Sequence, residues 1–485
     1  MRQTPRDRMA ILLAELDPEL VPGPTVGAVA EQLAPQLRDA TDDVIWLALC
    51  VLRAEFPVRD DVVAARRALR LHDPARWAAE TVGHPATRGM FGTGGARPVR
   101  VVRDSTVVDV HHTARTGLAT GIQRVVRNTI AAWHEKHEVL LVGWGSSFGG
   151  MRELTPDERE NALFGTKPHA VHPPTGEVTI PWRSRYILPE LAIESERTAR
   201  IAAMAEFSGN STAAIGFDCV PLTSAETTAQ GMGAAFSRNL VALANFDVVA
   251  TISAAAATEY LGWRAMLNSA GLEGPTIVEV FLPIEVGTAD DTDILSAESV
   301  LLTGELPMLL CVGSHEPRKN HLAVLGAVER LWAAGREFSV VFIGGNSWGS
   351  DAFQRELKRL QEADRPVSSI SVVTDELLYS AYRLATASVF PSWNEGFGLP
   401  VAESIASGTP VVTSKFGSMA EIAEGGGALL VDPRDDEELR RAVDDILFDE
   451  EINARLRDEA RARQTTTWDA YASDLWELFR SAPDE

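Results

Sequence analysis

Two glutamates and a neighbouring pair of cations are the residues in this sequence best suited to chemistry. The stretch PSWNEGFGLPVAES, residues 391–404, sets Glu395 just before a glycine-rich turn and Glu403 eight positions later. The preceding ASVFPS reads as a buried strand. Pro400 suits the first turn of a helix, where its missing N–H would have been unpaired anyway, and Gly408 suits the other end. The pattern predicts a helix from Pro400 to Ser407, with the backbone amides of Gly396, Phe397, Gly398 and Leu399 at its mouth. Free amides and the helix dipole favour a phosphate there, and glycine lets a ligand approach the backbone closely. Glu403 lies about one turn inside, and helical side chains lean back toward the N-terminus. A carboxylate repels phosphate, so its natural partner is a pair of hydroxyls such as a ribose diol. Glu395 would meet the other end of the ligand, either sugar hydroxyls or developing positive charge. Diol, phosphates and sugar in that order describe a sugar nucleotide.

Such a ligand needs cations, and LLCVGSHEPRKNH, residues 309–321, supplies them. It runs from an apolar strand through Gly313 into a loop holding Arg318 and Lys319, one a bidentate fork for phosphate and the other a compact charge. His315 is close enough in sequence to touch the same phosphate. Asn320 reads as the N-cap of the next helix. Both charged clusters therefore follow a strand and precede a helix.

The elements that must position these groups alternate along the chain. From about residue 99, short β-branched runs (VRVVRDSTVVDVHH, HEVLLVGWG, STAAIGFDCVP, NFDVVATIS, PTIVEVFLP) are separated by helical stretches. The rhythm restarts at MLLCVGS and continues through FSVVFIGG, SISVVT, ASVFPS and TPVVTS. Short apolar strands separated by helices indicate parallel sheets covered on both faces. The expected fold is α/β, with two facing Rossmann-like, doubly wound domains at 98–299 and 300–485, and ligands bound at the carboxyl ends of strands. Residues 1–97 are rich in Ala, Leu and Arg at helical spacing. They predict an all-helical extension, read as a docking or oligomerisation module, that ends in the linker GHPATRGMFGTGGARP.

Composition narrows the function. A chain of 485 residues with 45% apolar content has room for two or three cores. Its formal charge of −23 argues against coating nucleic acid or anionic lipid. Cys50, Cys219 and Cys311 are odd in number and far apart, as in a reducing compartment. No stretch reads as a signal peptide or approaches the roughly 18 apolar residues of a span. The expectation is a cytoplasmic protein.

Given these motifs, the chain resembles the retaining glycosyltransferases of family four, which have the GT-B fold, over roughly residues 107–480. The resemblance rests most on VGSHEPRKNH, VFIGGNSWGS, the long run LLYSAYRLATASVFPSWNEGFGLPVAESIASGTPVVTSKFGSMAEIAEGGGALLVDP, and TTWDAYASDLWELF. It implies that Arg318 and Lys319 hold the diphosphate, Glu403 the ribose, and residues 396–399 the phosphates and donor sugar. Gly313 and Gly121 join the donor-binding set. Glu395, Arg318, Lys319 and Asp218 are the catalytic set. The final helix is expected to pack back on the first domain.

The first domain resembles a narrower subgroup marked by TGIQR, where a loop with Gly117 and Gly121 opens a helix facing the cleft. AIGFDCVPL directs Asp218 toward the same cleft, with Phe217 where relatives often carry His or Tyr. His111 and His112 have no third ligand at metal-binding spacing and read as ordinary polar contacts. The fold implies no metal or other cofactor.

The implied reaction moves a hexose from a nucleoside-diphosphate sugar, such as GDP-mannose or dTDP-rhamnose, to an acceptor hydroxyl with retention. The implied setting is bacterial polysaccharide or glycan assembly at the inner face of the membrane. The acceptor, a glycan or a lipid-linked one, would be bound by the stretch 145–189. The contrasting reading is a non-catalytic GT-B partner subunit that recruits, or forms oligomers, through the helical extension.

Overall fold

The computed structural model describes residues 3–83, 97–117, 120–166, 176–287, 291–301, 304–371 and 373–481. Most of the glycine-rich segment read as a linker lies outside them. The first sheet has nine strands, β1 (Val99–Val102), β2 (Thr106–Asp109), β3 (Val139–Trp144), β4 (Met151–Glu153), β5 (Val178–Pro181), β6 (Arg185–Leu188), β7 (Ser211–Gly216), β8 (Val248–Thr251) and β9 (Thr276–Glu279). Their order is β1-β5-β4-β3-β2-β6-β7-β8-β9. All pairings are parallel except those of β4, which runs antiparallel to β3 and β5. The six strands of the second sheet are β10 (Met308–Val312), β11 (Ser339–Ile343), β12 (Val367–Ile370), β13 (Ala387–Phe390), β14 (Val411–Ser414) and β15 (Ala428–Val431). They lie in the order β12-β11-β10-β13-β14-β15, all parallel. The architecture is the two-sheet α/β arrangement of the GT-B fold.

Strand order explains where the site falls. In the second sheet the chain fills one side of β10 with β11 and β12, then crosses to the other side with β13. The reversal leaves a crevice beyond the carboxyl ends of β10 and β13, where open α/β sheets bind ligands. Registration is direct, Leu309 opposite Ala387 and Leu310 opposite Ser388. The loop after β10 carries Arg318 and Lys319, and the loop after β13 carries Glu395. They converge because the crossover ends there.

A single hydrophobic cluster bridges the two sheets. It joins Val108, Ile130 and Ile215 of the first to Phe397, Val401, Ile405 and Met419 of the second. The last helix, Trp468–Ser481, contributes Tyr471, Leu475 and Phe479. It lies on the helix Gly121–Lys136, where Trp133 Nε1 donates to the Ala472 carbonyl at 2.7 Å and His137 stacks on Trp476 at 3.8 Å.

The N-terminal helices are Pro5–Leu16, Val26–Arg38, Asp42–Arg53, Arg59–Leu71 and Pro74–Gly83. Their apolar faces point into the molecule. The helix Asp42–Arg53 is buried continuously from Ile45 to Leu52, as befits a helix that is apolar on all sides. Phe56 sits between Trp46 and Trp144, edge-on to both, at centroid distances of 5.4 and 5.6 Å. Its N–H donates to the Gly149 carbonyl at 2.8 Å and its own carbonyl accepts from Arg200 Nε at 3.1 Å. Among the described residues the large apolar side chains these helices and their loops expose are Leu20, Val21 and Leu71, which are scattered. The helices cover the first sheet. Removing the Phe56 ring therefore opens a cavity between the helices and the sheet. Phe56→Ala is expected to cost about 3–5 kcal/mol, read from the urea midpoint, and a loss no larger than that of a surface substitution would show loosely docked helices.

Candidate functional site

Glu395 is the centre of a buried charge cluster. Lys319 Nζ lies 2.5 Å from its Oε1 and Arg318 Nη1 lies 2.7 Å from its Oε2. Ser392 Oγ donates to Oε1 at 2.6 Å. Burial alone would push the Glu395 carboxyl upward, but Arg318, Lys319 and these hydrogen bonds outweigh it and bring the pKa down to about 2. Arg318 also donates to the Asn394 carbonyl at 2.7 Å and pairs with Glu316 at 3.2 Å. Its own carbonyl accepts from the Trp393 amide at 2.9 Å. The two loops are thus tied through both side chains and backbone.

The first sheet supplies the opposite wall. Asp218 follows β7, and its Oδ1 accepts from the Val220 amide at 3.1 Å. Burial raises its carboxyl to about 6, with Arg318 opposing and Glu259 and Glu395 adding to the rise. A Cβ placed on Gly396 would lie 2.5 Å from the Phe217 carbonyl and 2.8 Å from Asp218 Oδ2. In this structure Gly396 is glycine because the facing domain's backbone approaches it. Ser253, the N-cap of Ala254–Ser269, donates to the Gly396 carbonyl at 2.6 Å, and Asn394 Nδ2 reaches Thr223 Oγ1 at 3.3 Å and Ser224 Oγ at 3.2 Å.

The helix after the turn spans Leu399–Ala406, one residue earlier than expected at each end. Gly398 caps it at φ 105°, and Gly408 closes it at φ 74°. Both angles lie in the left-handed region where glycine is favoured. Glu403 is buried and stands apart from the Glu395 cluster. Its Oε1 is bound by Arg124 Nη1 and its Oε2 accepts from Tyr382 Oη at 3.1 Å. Burial raises its carboxyl, with Arg124 and Tyr382 opposing. Arg124 Nη2 binds the Tyr379 hydroxyl. A Cβ on Gly121, one turn before Arg124, would lie 3.3 Å from Leu399 Cδ1, so the mouths of two helices from opposite domains face each other here.

The Phe397 side chain is buried edge-on to Phe281 at 5.0 Å. Several expectations change. His315 is buried rather than lining the crevice. Its ring packs 4.4 Å from Phe353 and Nδ1 lies 2.9 Å from Asn346 Oδ1. Asn320 occupies the N-cap position in the left-handed region at φ 60°, and its side chain donates to the Pro433 carbonyl at 2.9 Å instead of capping. Gly313, at φ 144°, has a companion that sequence reasoning missed: a Cβ on Gly344 would fall 2.0 Å from the Gly313 carbonyl oxygen. His111 and His112 open a short helix, His111–Arg115, rather than ending a strand. They border a buried network in which Asp109 and Glu190 share Arg197, both at 3.0 Å. Arg124, Tyr379, Tyr382 and Ser253 were also missed, although Arg124 lies within the TGIQR motif and Ser253 carries an N-cap signal. Among the described residues no group of three or more His, Cys, Asp or Glu could hold a metal ion, and no helix is long and apolar enough to cross a membrane.

Two facing α/β domains carry charged loops at a switch point, and known proteins share parts of this arrangement. Residues 296–463 match the family described as Glycosyl transferases group 1. Over 165 residues the chain is 30% identical to the serotype-specific mannosyltransferase WbdA of Escherichia coli, covering 34% of this chain and 20% of that protein. It is 30% identical over 178 residues to the D-inositol 3-phosphate glycosyltransferase of Corynebacterium glutamicum (strain R), covering 35% of this chain and 42% of that one. The chain thus spans less than half the length of these curated relatives. Among solved structures, HepE of Anabaena in complex with UDP and glucose aligns with 78% of this chain and all of its own, at TM-score 0.56 and 14% identity. Sucrose-phosphate synthase of Thermosynechococcus elongatus aligns with 78% of this chain and 98% of its own, at TM-score 0.53 and 18% identity. These likenesses establish the fold.

The depressed carboxyl of Glu395 makes a pH prediction. A group whose folded pKa lies below its unfolded value stabilises the fold above the unfolded value and loses that contribution as pH falls toward the folded one. The gap in unfolding free energy between wild type and Glu395→Gln should be widest above pH 5. It should narrow as pH falls from the ordinary carboxyl value of 4.5 toward about 2. Urea titrations across that range measure it, and a gap independent of pH would show that the pair is not ionised.

Proposed function

We propose that the protein is a retaining glycosyltransferase that moves a hexose from a nucleoside-diphosphate sugar to an acceptor hydroxyl. The observation that carries this reading is the convergence of Arg318, Lys319 and Glu395 on the β10–β13 switch point, beside the helix mouth at Leu399. In this reading Arg318 and Lys319 bind the diphosphate, Glu403 the ribose diol, and the backbone of residues 396–399 the phosphates and donor sugar. Asp218, on the opposite wall, faces the transferred sugar. The bond from the anomeric carbon to the diphosphate breaks, and negative charge builds on the leaving group. Two fixed cations and a helix N-terminus stabilise that charge without having to reorganise as it forms. Both oxygens of Glu395 are held by cations, so it is poorly placed to be a covalent nucleophile. This favours attack by the acceptor oxygen on the face the diphosphate leaves, with the departing phosphate taking the acceptor's proton. Contact between the domains at Gly396 excludes water and limits donor hydrolysis.

The donor sugar is mannose or a related hexose, in line with the mannosyltransferases among the relatives, and the setting is bacterial surface polysaccharide assembly. GDP-mannose and dTDP-rhamnose are the expected donors, while a structural neighbour is bound to UDP, so the nucleotide panel below includes all three bases. Domain assignments follow the same reading, with the acceptor on the first sheet and the donor on the second.

Thermal unfolding with UDP, GDP, dTDP and ADP tests the proposal. The matching nucleotide at 100 times its dissociation constant should add about 2.7 kcal/mol to wild type and much less to Glu403→Ala. Lys319→Ala should lower turnover by roughly 10²–10³ with the fold retained. No stabilisation by any nucleotide would overturn the reading and favour a non-catalytic partner subunit.

A further inference from the structure

The contact between Arg124 and Glu403 crosses the cleft, and its two members are not equally free to move. The Glu403 side chain is 5% exposed and Arg124 is 26% exposed. Glu403 is also held by Tyr382 Oη at 3.1 Å, so its carboxylate keeps its place when the arginine departs. Arg124 is a long side chain rooted in the first turn of Gly121–Lys136, with Glu403 and Tyr379 as its partners. A buried carboxylate left without a partner costs several kcal/mol, and Arg124 supplies that partner. Two hydroxyl donors on one ligand would replace that partner.

We propose that Arg124 is a diphosphate ligand contributed by the facing domain, parked on Glu403 and Tyr379 until the ribose of a nucleotide displaces it. The inference rests on the nucleotide-sugar reading and adds to it a binding residue outside the donor domain. Displacement alone would leave a guanidinium without an anion in a low-dielectric gap. The diphosphate brings that anion to the same gap, where the mouths of Gly121–Lys136 and Leu399–Ala406 face each other. A guanidinium binds two phosphate oxygens at once, so a rotation of the Arg124 side chain exchanges one bidentate partner for another. Arg318 and Lys319 bind the diphosphate from the donor domain with part of their charge already offset by Glu395 and Glu316, and Arg124 adds a cation from the opposite side. Closure then depends on the diphosphate: a nucleoside breaks the contact between the domains, and a nucleoside diphosphate replaces it. Tyr379, against which the Gly287 backbone is packed so closely that a Cβ there would lie 2.5 Å from its ring, places the exchange beside the segment joining the two sheets.

Calorimetry of the full chain with UDP and with uridine, or with GDP and guanosine where the nucleotide panel selects that base, tests this. In Arg124→Gln the diphosphate should bind roughly 10- to 100-fold more weakly, the range for a lost hydrogen bond to a charged group. The nucleoside should bind as well as to wild type or better, because Glu403 is no longer occupied. Arg124→Lys, which keeps the charge and so guards against loss of the fold, should show a smaller loss with the same contrast. Equal weakening of both ligands, or unchanged diphosphate binding, would overturn the proposal while leaving the nucleotide reading intact. Wild type binding none of the nucleotides would overturn both.

Discussion

One buried carboxylate, Glu395, organises the cleft. An ionised glutamate out of water is tolerable only with close cations and filled hydrogen-bonding positions, and Glu395 has Lys319, Arg318 and the Ser392 hydroxyl. That requirement draws together the loops after β10 and β13. It fixes the backbone on both sides of Glu395, because Arg318 is bound at once to the Asn394 carbonyl and to Glu316, and the Glu395 carbonyl itself accepts from Ser418 at 2.9 Å. With the loop held there, Gly396 meets the facing domain, and the amides from Gly396 onward open the Leu399–Ala406 helix. Truncating either cation would leave Glu395 buried with half its compensation, so the cluster is strong evidence of a site and weak evidence of stability gained.

The two domains meet along two seams of different character. One is apolar and continuous: Phe281 against Phe397, the buried cluster from Val108 to Met419, and the last helix lying across the first domain. Burial of this kind is non-directional and holds the domains together without specifying an angle. The other is polar and directional, made of Ser253 to Gly396, Asn394 to Thr223 and Ser224, and Arg124 to Glu403. The apolar seam holds the domains together and the polar seam sets how they meet.

Much of this was legible in the sequence because parallel strands buried on both faces read as short apolar runs, and because charges after such runs must emerge at one edge. That logic placed Arg318, Lys319 and Glu395 beyond strand ends, and the strand order brings them together. It failed where sequence neighbours differ in direction. His315 lies three residues from Arg318 yet turns into an aromatic cluster with Phe353, and Asn320 bonds Pro433, 113 residues away, instead of capping its own helix. Gly396 read as a close approach for a ligand, and an isolated loop cannot reveal that another domain's carbonyl also approaches it. Arg124 lies within the TGIQR motif, but its partner, Glu403, is 279 residues distant, and no local pattern encodes such a pair.

The helical extension illustrates the same limit from the side of packing. Its Ala- and Leu-rich stripes read as surfaces for another molecule, because nothing nearby in sequence needs covering. The need arises in the first sheet, which widens beyond β3 by the antiparallel β4 and then β5 and β1. Those added strands bring Trp144, Met151, Ile180 and Trp182 into one buried apolar cluster. The helix Ser195–Phe207 adds Ile201, Met204 and Phe207 to the same cluster, and the N-terminal helices complete its cover. Trp46 packs on Phe56 and Phe56 on Trp144, while Arg200 of the helix Ser195–Phe207 clamps the Phe56 carbonyl and Glu55. The extension and the additional strands are therefore one structural solution. A chain with the wider sheet but without the helices would expose a broad aromatic face, and one with the helices but a narrower sheet would have nothing on which to bury them.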